Sequence, residues 1–83
     1  MDYYSMSYEV MEEIANQIQG RYIGWADAAT DPKTEQYWME KSLQIARDIR
    51  QVDPNDEEAI KAKRAELGEL IRSLPVEAPT DAP

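Results

Sequence analysis

Two copies of one punctuation, "DPKTE" at Asp31 to Glu35 and "DPNDE" at Asp53 to Glu57, constrain this chain more than any other feature. An aspartate before proline accepts hydrogen bonds from the free N–H groups of a helix start. Proline at the first helical position gives up a donor that has no partner there, and glutamate in the first turn complements the positive end of the dipole. The residue before proline is also biased out of the helical region, so each Asp-Pro closes the helix before it. The pair predicts helices joined by tight connections, with neighbours antiparallel. The intervening sequences differ and the spacing is too short for a solenoid, so the repetition is shared turn chemistry and not a duplicated unit.

Apolar spacing fills in the three segments. From about Ser7 to Thr30, residues Met11, Ile14, Ile18, Tyr22, Trp25 and Ala29 step by three or four, one stripe of a helix. From about Pro32 to Val52, Trp38, Ile45, Ile49 and Val52 repeat the pattern, while Met39, Leu43 and Ala46 widen it into the arc expected of a middle helix. From about Pro54 to Leu74, Ile60, Leu67, Leu70, Ile71 and Leu74 form the stripe, and Pro75 closes it. No alternating run bounded by hairpin turns competes. The expected fold is all-α: an antiparallel three-helix bundle with short Asp-Pro turns over residues 1–74, followed by a disordered, acidic, proline-rich tail at 75–83.

Composition then removes function classes. At 83 residues without cysteine or histidine, there is no disulfide framework, no Cys-based zinc site, no imidazole base and no imidazole metal ligand. Seventeen acidic residues against nine basic ones leave a net charge of −8, which opposes phosphate backbones and anionic lipid and favours a basic protein surface. The short apolar runs and the acidic, aromatic start "MDYYSMSYEV" predict neither a membrane span nor a signal peptide, and hence a cytoplasmic protein. Carboxylate pairs are plentiful, but a catalytic pair needs one acid in an apolar pocket, so no enzyme activity, metal or cofactor is expected.

Several local features have more than one meaning. "DPNDEEA" lacks the sixth-position glycine and twelfth-position glutamate of a calcium loop, and a helix cap explains it better. Lys61, Lys63 and Arg64 alternate with Glu57, Glu58, Glu66 and Glu69 as on an ion-paired exposed face. Trp25 and Trp38, at core spacing in an acidic domain, are assigned to the core and not to a stacking platform. Gly20 and Gly24 fall about 200° and 240° from Ile18 around the first helix, on the side away from the core. Each glycine costs roughly 1 kcal/mol in a helix interior. Either a partner approaches closely there, with Glu13 and Gln17 as its polar margin, or the pair serves nothing. Tyr3, Tyr4, Met6 and Tyr8 with Glu9, Glu12 and Glu13 have the residue types of an interface hot spot, or the tyrosines fold back to staple the bundle end.

In length, negative charge, helix number and an N-terminal helix beginning "YYSMSYEVMEE", the chain resembles the small acidic antitoxins of bacterial toxin–antitoxin modules, the epsilon antitoxins of zeta kinases among them. The inhibitory motif of antitoxins against Fic toxins is not met, because Val10 follows the Ser5 and Glu9 pair. The resemblance implies an acidic first helix that occupies the nucleotide or substrate site of a basic toxin, its carboxylates replacing phosphate charge. The candidate partner-binding residues are Tyr3, Tyr4, Met6, Tyr8, Glu9, Glu12, Glu13, Gln17, Gly20 and Gly24. Two rival classes stay open: a homo-oligomeric structural or adaptor bundle using the apolar arc of the second helix, and a phage-type inhibitor that mimics nucleic acid.

Overall fold

The computed structural model describes residues 3–78, with side chains described from Tyr8 onward. Its elements are α1 (Tyr3–Ala28), α2 (Pro32–Arg50) and α3 (Glu57–Ser73), with no strand among the described residues. At about 1.5 Å per residue α1 spans about 39 Å, which accounts for most of the 44 Å long dimension of the molecule.

The first Asp-Pro lies at the start of α2. Asp31 has extended backbone (φ −134°, ψ 150°) and caps α2, its carboxylate accepting the Thr34 N–H at 3.0 Å with Pro32 in the first turn. That backbone hydrogen bond holds the Asp31 carboxyl below its usual range. The cap therefore contributes fully above the carboxyl's unfolded value and is lost as pH falls through the lower folded one.

The second Asp-Pro does not start a helix at Pro54. Asp53 is used locally: its carboxylate accepts the Asn55 N–H at 2.9 Å and its carbonyl accepts the Asp56 N–H at 2.9 Å. Asp56 then caps α3 by accepting the Ala59 N–H at 3.1 Å, with Glu57 and Glu58 in the first turn favouring this start. Replacing the cap side chain of a helix costs about 1 kcal/mol. Asp56→Ala is thus expected to lower stability by about 1 kcal/mol, and Asp53→Ala by clearly less, as read from urea midpoints.

The middle helix is α1, not α2. It packs against both α2 and α3, which hardly touch one another. Accordingly α1 supplies Met11, Ala15, Ile18, Tyr22, Trp25 and Ala26 to the core, whereas α2 gives Trp38 and Ile45, α3 gives Ile60 and Leu67, and the connection gives Val52. Met39 and Leu43, expected to widen a buried arc on α2, are 39% and 47% exposed, because α2 has a neighbour on one side only. Ala29 is half-buried and not core, since α1 ends at Ala28 and the chain leaves on an Ala29 N–H to Ala26 carbonyl bond. Ile14 and Tyr8 pack partly buried against the core.

Aromatic rings fill the space between α1 and α2. Trp25 and Trp38 meet edge to face at 4.7 Å, and Tyr22 stacks on Trp38 at 5.7 Å with 14° between planes. Tyr37 closes the group edge to face on Trp38 at 4.7 Å. Burial, with the nearby Tyr37 adding repulsion, pushes the Tyr22 hydroxyl above the ordinary value of 10.0. The sign follows from which state ionises first. Below the unfolded value both states are neutral. Above it the unfolded chain loses its proton while folded Tyr22 keeps it, so stability falls until pH passes the folded value. Tyr22→Phe is expected to flatten this alkaline slope in urea melts between about pH 9 and 11.

The C-terminal segment, expected to be disordered, is described as far as residue 78. Residues 75–78 lie against α1: the Arg21 guanidinium donates to the carbonyls of Leu74 (3.2 Å) and Pro75 (2.7 Å), and the Trp25 indole N–H donates to the Val76 carbonyl (3.0 Å). Ala78 packs on the core. Residues 79–83 lie outside the described part of the chain.

Candidate partner-binding face

Because α1 has a helix on either side, only one strip of it can face outward. Gln19 marks the border with α2, donating to the Ser42 carbonyl at 3.3 Å, and Arg21 marks the border with the C-terminal segment. Between these borders lie exposed Glu9, Glu13, Asn16, Gln17, Gly20, Ile23, Gly24 and Asp27, in the 3.6-residue rhythm of a single helix face. Glu12 is exposed beside them.

This strip brings together six of the candidate residues: Glu9, Glu12, Glu13, Gln17, Gly20 and Gly24. Tyr8 does not join them as a free interface group; it is half-buried against the core, as a stapling residue would be. Tyr3, Tyr4 and Met6 have helical backbone within α1, and their side chains lie outside the described residues.

The glycines are as open as their angular position predicts. A Cβ at Gly20 or Gly24 would meet nothing within 4 Å, and neither has positive φ. No contact or backbone geometry among the described residues requires them, so their helix-propensity penalty has no offset there. Gly20→Ala and Gly24→Ala are each expected to stabilise the chain by roughly 1 kcal/mol, measured by thermal or urea unfolding.

Charge is distributed unevenly between the helices. Every ion pair among the described residues lies on α2 or α3: Arg47 with Glu40, Lys61 with Glu57, Lys63 with Glu66 and Arg72 with Glu69. Of the expected ion-paired face of α3, Lys61 with Glu57 and Lys63 with Glu66 are present and Glu69 pairs with Arg72, whereas Glu58 and Arg64 make no ion pair among the described residues. On α1, Glu9, Glu12, Glu13 and Asp27 make no ion pair among the described residues, and Arg21, the one basic residue before Lys33, is bonded to backbone carbonyls. The outward strip of α1 carries carboxylates that make no ion pair, Glu9, Glu12 and Glu13 near its start and Asp27 near its end.

Sequence reasoning missed three contributors to this surface. Asp27 belongs to the acidic row, and its spacing from Gly20 and Glu13 could have placed it there. Ile23, 41% exposed, puts an apolar side chain on the strip. The clasp of Arg21 and Trp25 on residues 74–76 had one faint signal, a lone cation within an acidic helix. No family model, curated protein or solved structure matches the chain. Among the described residues, no helix is long and apolar enough to cross a membrane.

Proposed function

We propose that the chain is a non-enzymatic binding protein that lies against a basic protein surface through the outward strip of α1. The observation that carries this reading is the unpaired row Glu9, Glu12, Glu13 and Asp27, in a molecule whose other helices neutralise many of their own charges. Exposed carboxylates without ion pairs steer a cationic partner and set its orientation. Exposed Gly20 and Gly24 let that partner's backbone or a bulky side chain come close to the helix axis.

Within this class, the reading extends to an antitoxin-like inhibitor in the cytoplasm: α1 covers the nucleotide or substrate site of a basic toxin such as a zeta-type kinase, carboxylates standing in for phosphates. Its support is the resemblance in length, charge and helix number. The same reading takes the helices as an antiparallel bundle turning at Asp31-Pro32 and Asp53-Pro54. Its support is the three-residue gap between α1 and α2, together with the contacts of Gln19 with Ser42 and Trp25 with Trp38, positions nearly symmetric about that gap.

The test is capture from the native host at low salt with the full chain as bait. A basic nucleotide-using enzyme that is retained, released by raised salt and inhibited by the pure chain is the expected result. Recovery of only neutral or acidic proteins contradicts it. A second reading, self-association through exposed Ile23, Met39 and Leu43, is favoured by those three side chains alone. Sedimentation that shows a dimer, abolished by Leu43→Lys, would establish it.

A further inference from the structure

Past Ser73 the chain is held to α1 by side chains alone. Leu74 is already extended (φ −78°, ψ 129°) ahead of Pro75, and its N–H makes the last helical bond, to the Leu70 carbonyl. Beyond that bond the polar contacts run to two donors one turn apart on α1: Arg21 to the Leu74 and Pro75 carbonyls, and Trp25 to the Val76 carbonyl. No backbone ladder among the described residues supports them, and Pro75 has no N–H to offer one. Apolar packing underneath is slight. Pro75, Val76 and Glu77 are exposed, Val76 at 81%, and only Leu74 and Ala78 rest partly buried against the core. An open space of about 540 Å³ is left between Val76 and Ala78 on one side and Trp25 and Ala28 on the other. Trp25 is nonetheless only 5% exposed and belongs to the aromatic group with Tyr22 and Trp38.

We propose that residues 75–78 are a latch, hinged at Leu74, that opens as a unit of its own while the three helices stay packed, and that this opening lets solvent reach the Trp25 indole. A segment with few buried apolar contacts and exposed hydrogen bonds opens at a free energy well below that of global unfolding. The hinge requires no helical bond to break, because Leu74 is outside α3 in the closed form. Arg21 sets the closed population: it supplies two of the three bonds, one of them 2.7 Å long, and a guanidinium donor makes stronger bonds than a neutral one. Ile18, Ile60 and Leu67, fully or almost fully buried, meet solvent only when the helices part. The latch is thus a gate at one edge of the aromatic group, and it operates whether or not a partner sits on α1.

Native-state hydrogen exchange of the full-length chain, followed by NMR at zero and low urea, tests the latch. The Trp25 indole signal is identified by its loss in Trp25→Phe. Relative to unstructured reference rates, this N–H is expected to exchange at least about tenfold faster than the backbone amides of Ile18 and Leu67. Low urea should hardly change its rate, whereas the two amides follow the slope of global unfolding. Arg21→Gln is expected to speed the indole at least about tenfold. Ile60→Val, a change in the core that open and closed forms share, is expected to speed the two amides and to leave the indole rate unchanged. Circular dichroism confirms that each variant folds. An indole that exchanges at the rate and with the urea slope of the amides, or that speeds with them in Ile60→Val, opens only when the bundle unfolds and overturns the proposal. An indole rate unmoved by Arg21→Gln overturns it as well.

Discussion

Trp38→Ala is expected to cost about 3–5 kcal/mol, enough to leave much of a chain of this size unfolded at room temperature. The magnitude follows from what the ring touches. Trp38 is buried and meets Tyr22, Trp25 and Tyr37 at centroid distances of 5.7, 4.7 and 4.7 Å, so its loss removes every ring contact of α2 with α1 among the described residues. Because α2 hardly touches α3, no second interface holds α2 in place. Leu67→Ala on α3 removes a smaller side chain and is expected to cost about 2–4 kcal/mol. Urea unfolding followed by circular dichroism orders the two, and equal losses would mean that the aromatic group is not the main tie between α1 and α2.

Neutralising the carboxylate row should separate binding from folding. In the triple variant Glu9→Gln, Glu13→Gln and Asp27→Asn, three exposed carboxylates without ion pairs among the described residues are lost, so stability should stay within about 0.5 kcal/mol of the parent. Exposed charge pairs contribute about 0.2–1 kcal/mol each. Losing three at an interface thus weakens a basic partner about tenfold, chiefly through the association rate and with a shallower salt dependence. The matched control is Glu40→Gln, Glu66→Gln and Glu69→Gln, equal in charge change but taken from ion-paired positions on α2 and α3. Surface plasmon resonance against the captured partner compares them. Equal weakening by both triples would reduce the effect to net charge and remove any special role for α1.

Much of this surface was legible in the sequence because the three-to-four spacing of Met11, Ile18, Tyr22 and Trp25 fixes the buried side of α1, and with it the outward position of Gly20 and Gly24. What periodicity does not encode is the number of neighbours a helix has. Met39 and Leu43 continue the apolar pattern of α2 and yet face solvent, since the middle place went to α1, whose Ala15 and Ala26 are fully or almost fully buried. Cap competition hid the start of α3: Asp53 and Asp56 are both competent, and the choice depends on a turn in which Asp53 is already bonded to Asn55. The contacts of residues 74–76 were not legible because they depend on backbone carbonyls, which any sequence presents, meeting two side-chain donors more than fifty positions away. Tyr8 shows the reverse: its residue type suits an interface, but its place one turn before Met11 and Glu12 leaves it packed on the bundle.

Site-specific photocrosslinking in the native host tests the α1 face most directly. A photoreactive residue is placed singly at Gln17 on α1, at Arg47 on α2 and at Glu66 on α3, the first and last of these exposed and Arg47 with its side chain 51% exposed. Crosslinking from Gln17 to one basic protein, with little or none from the other two positions, is the expected result. Crosslinks of equal yield from all three positions, or from Arg47 and Glu66 alone, would contradict a partner seated on the first helix.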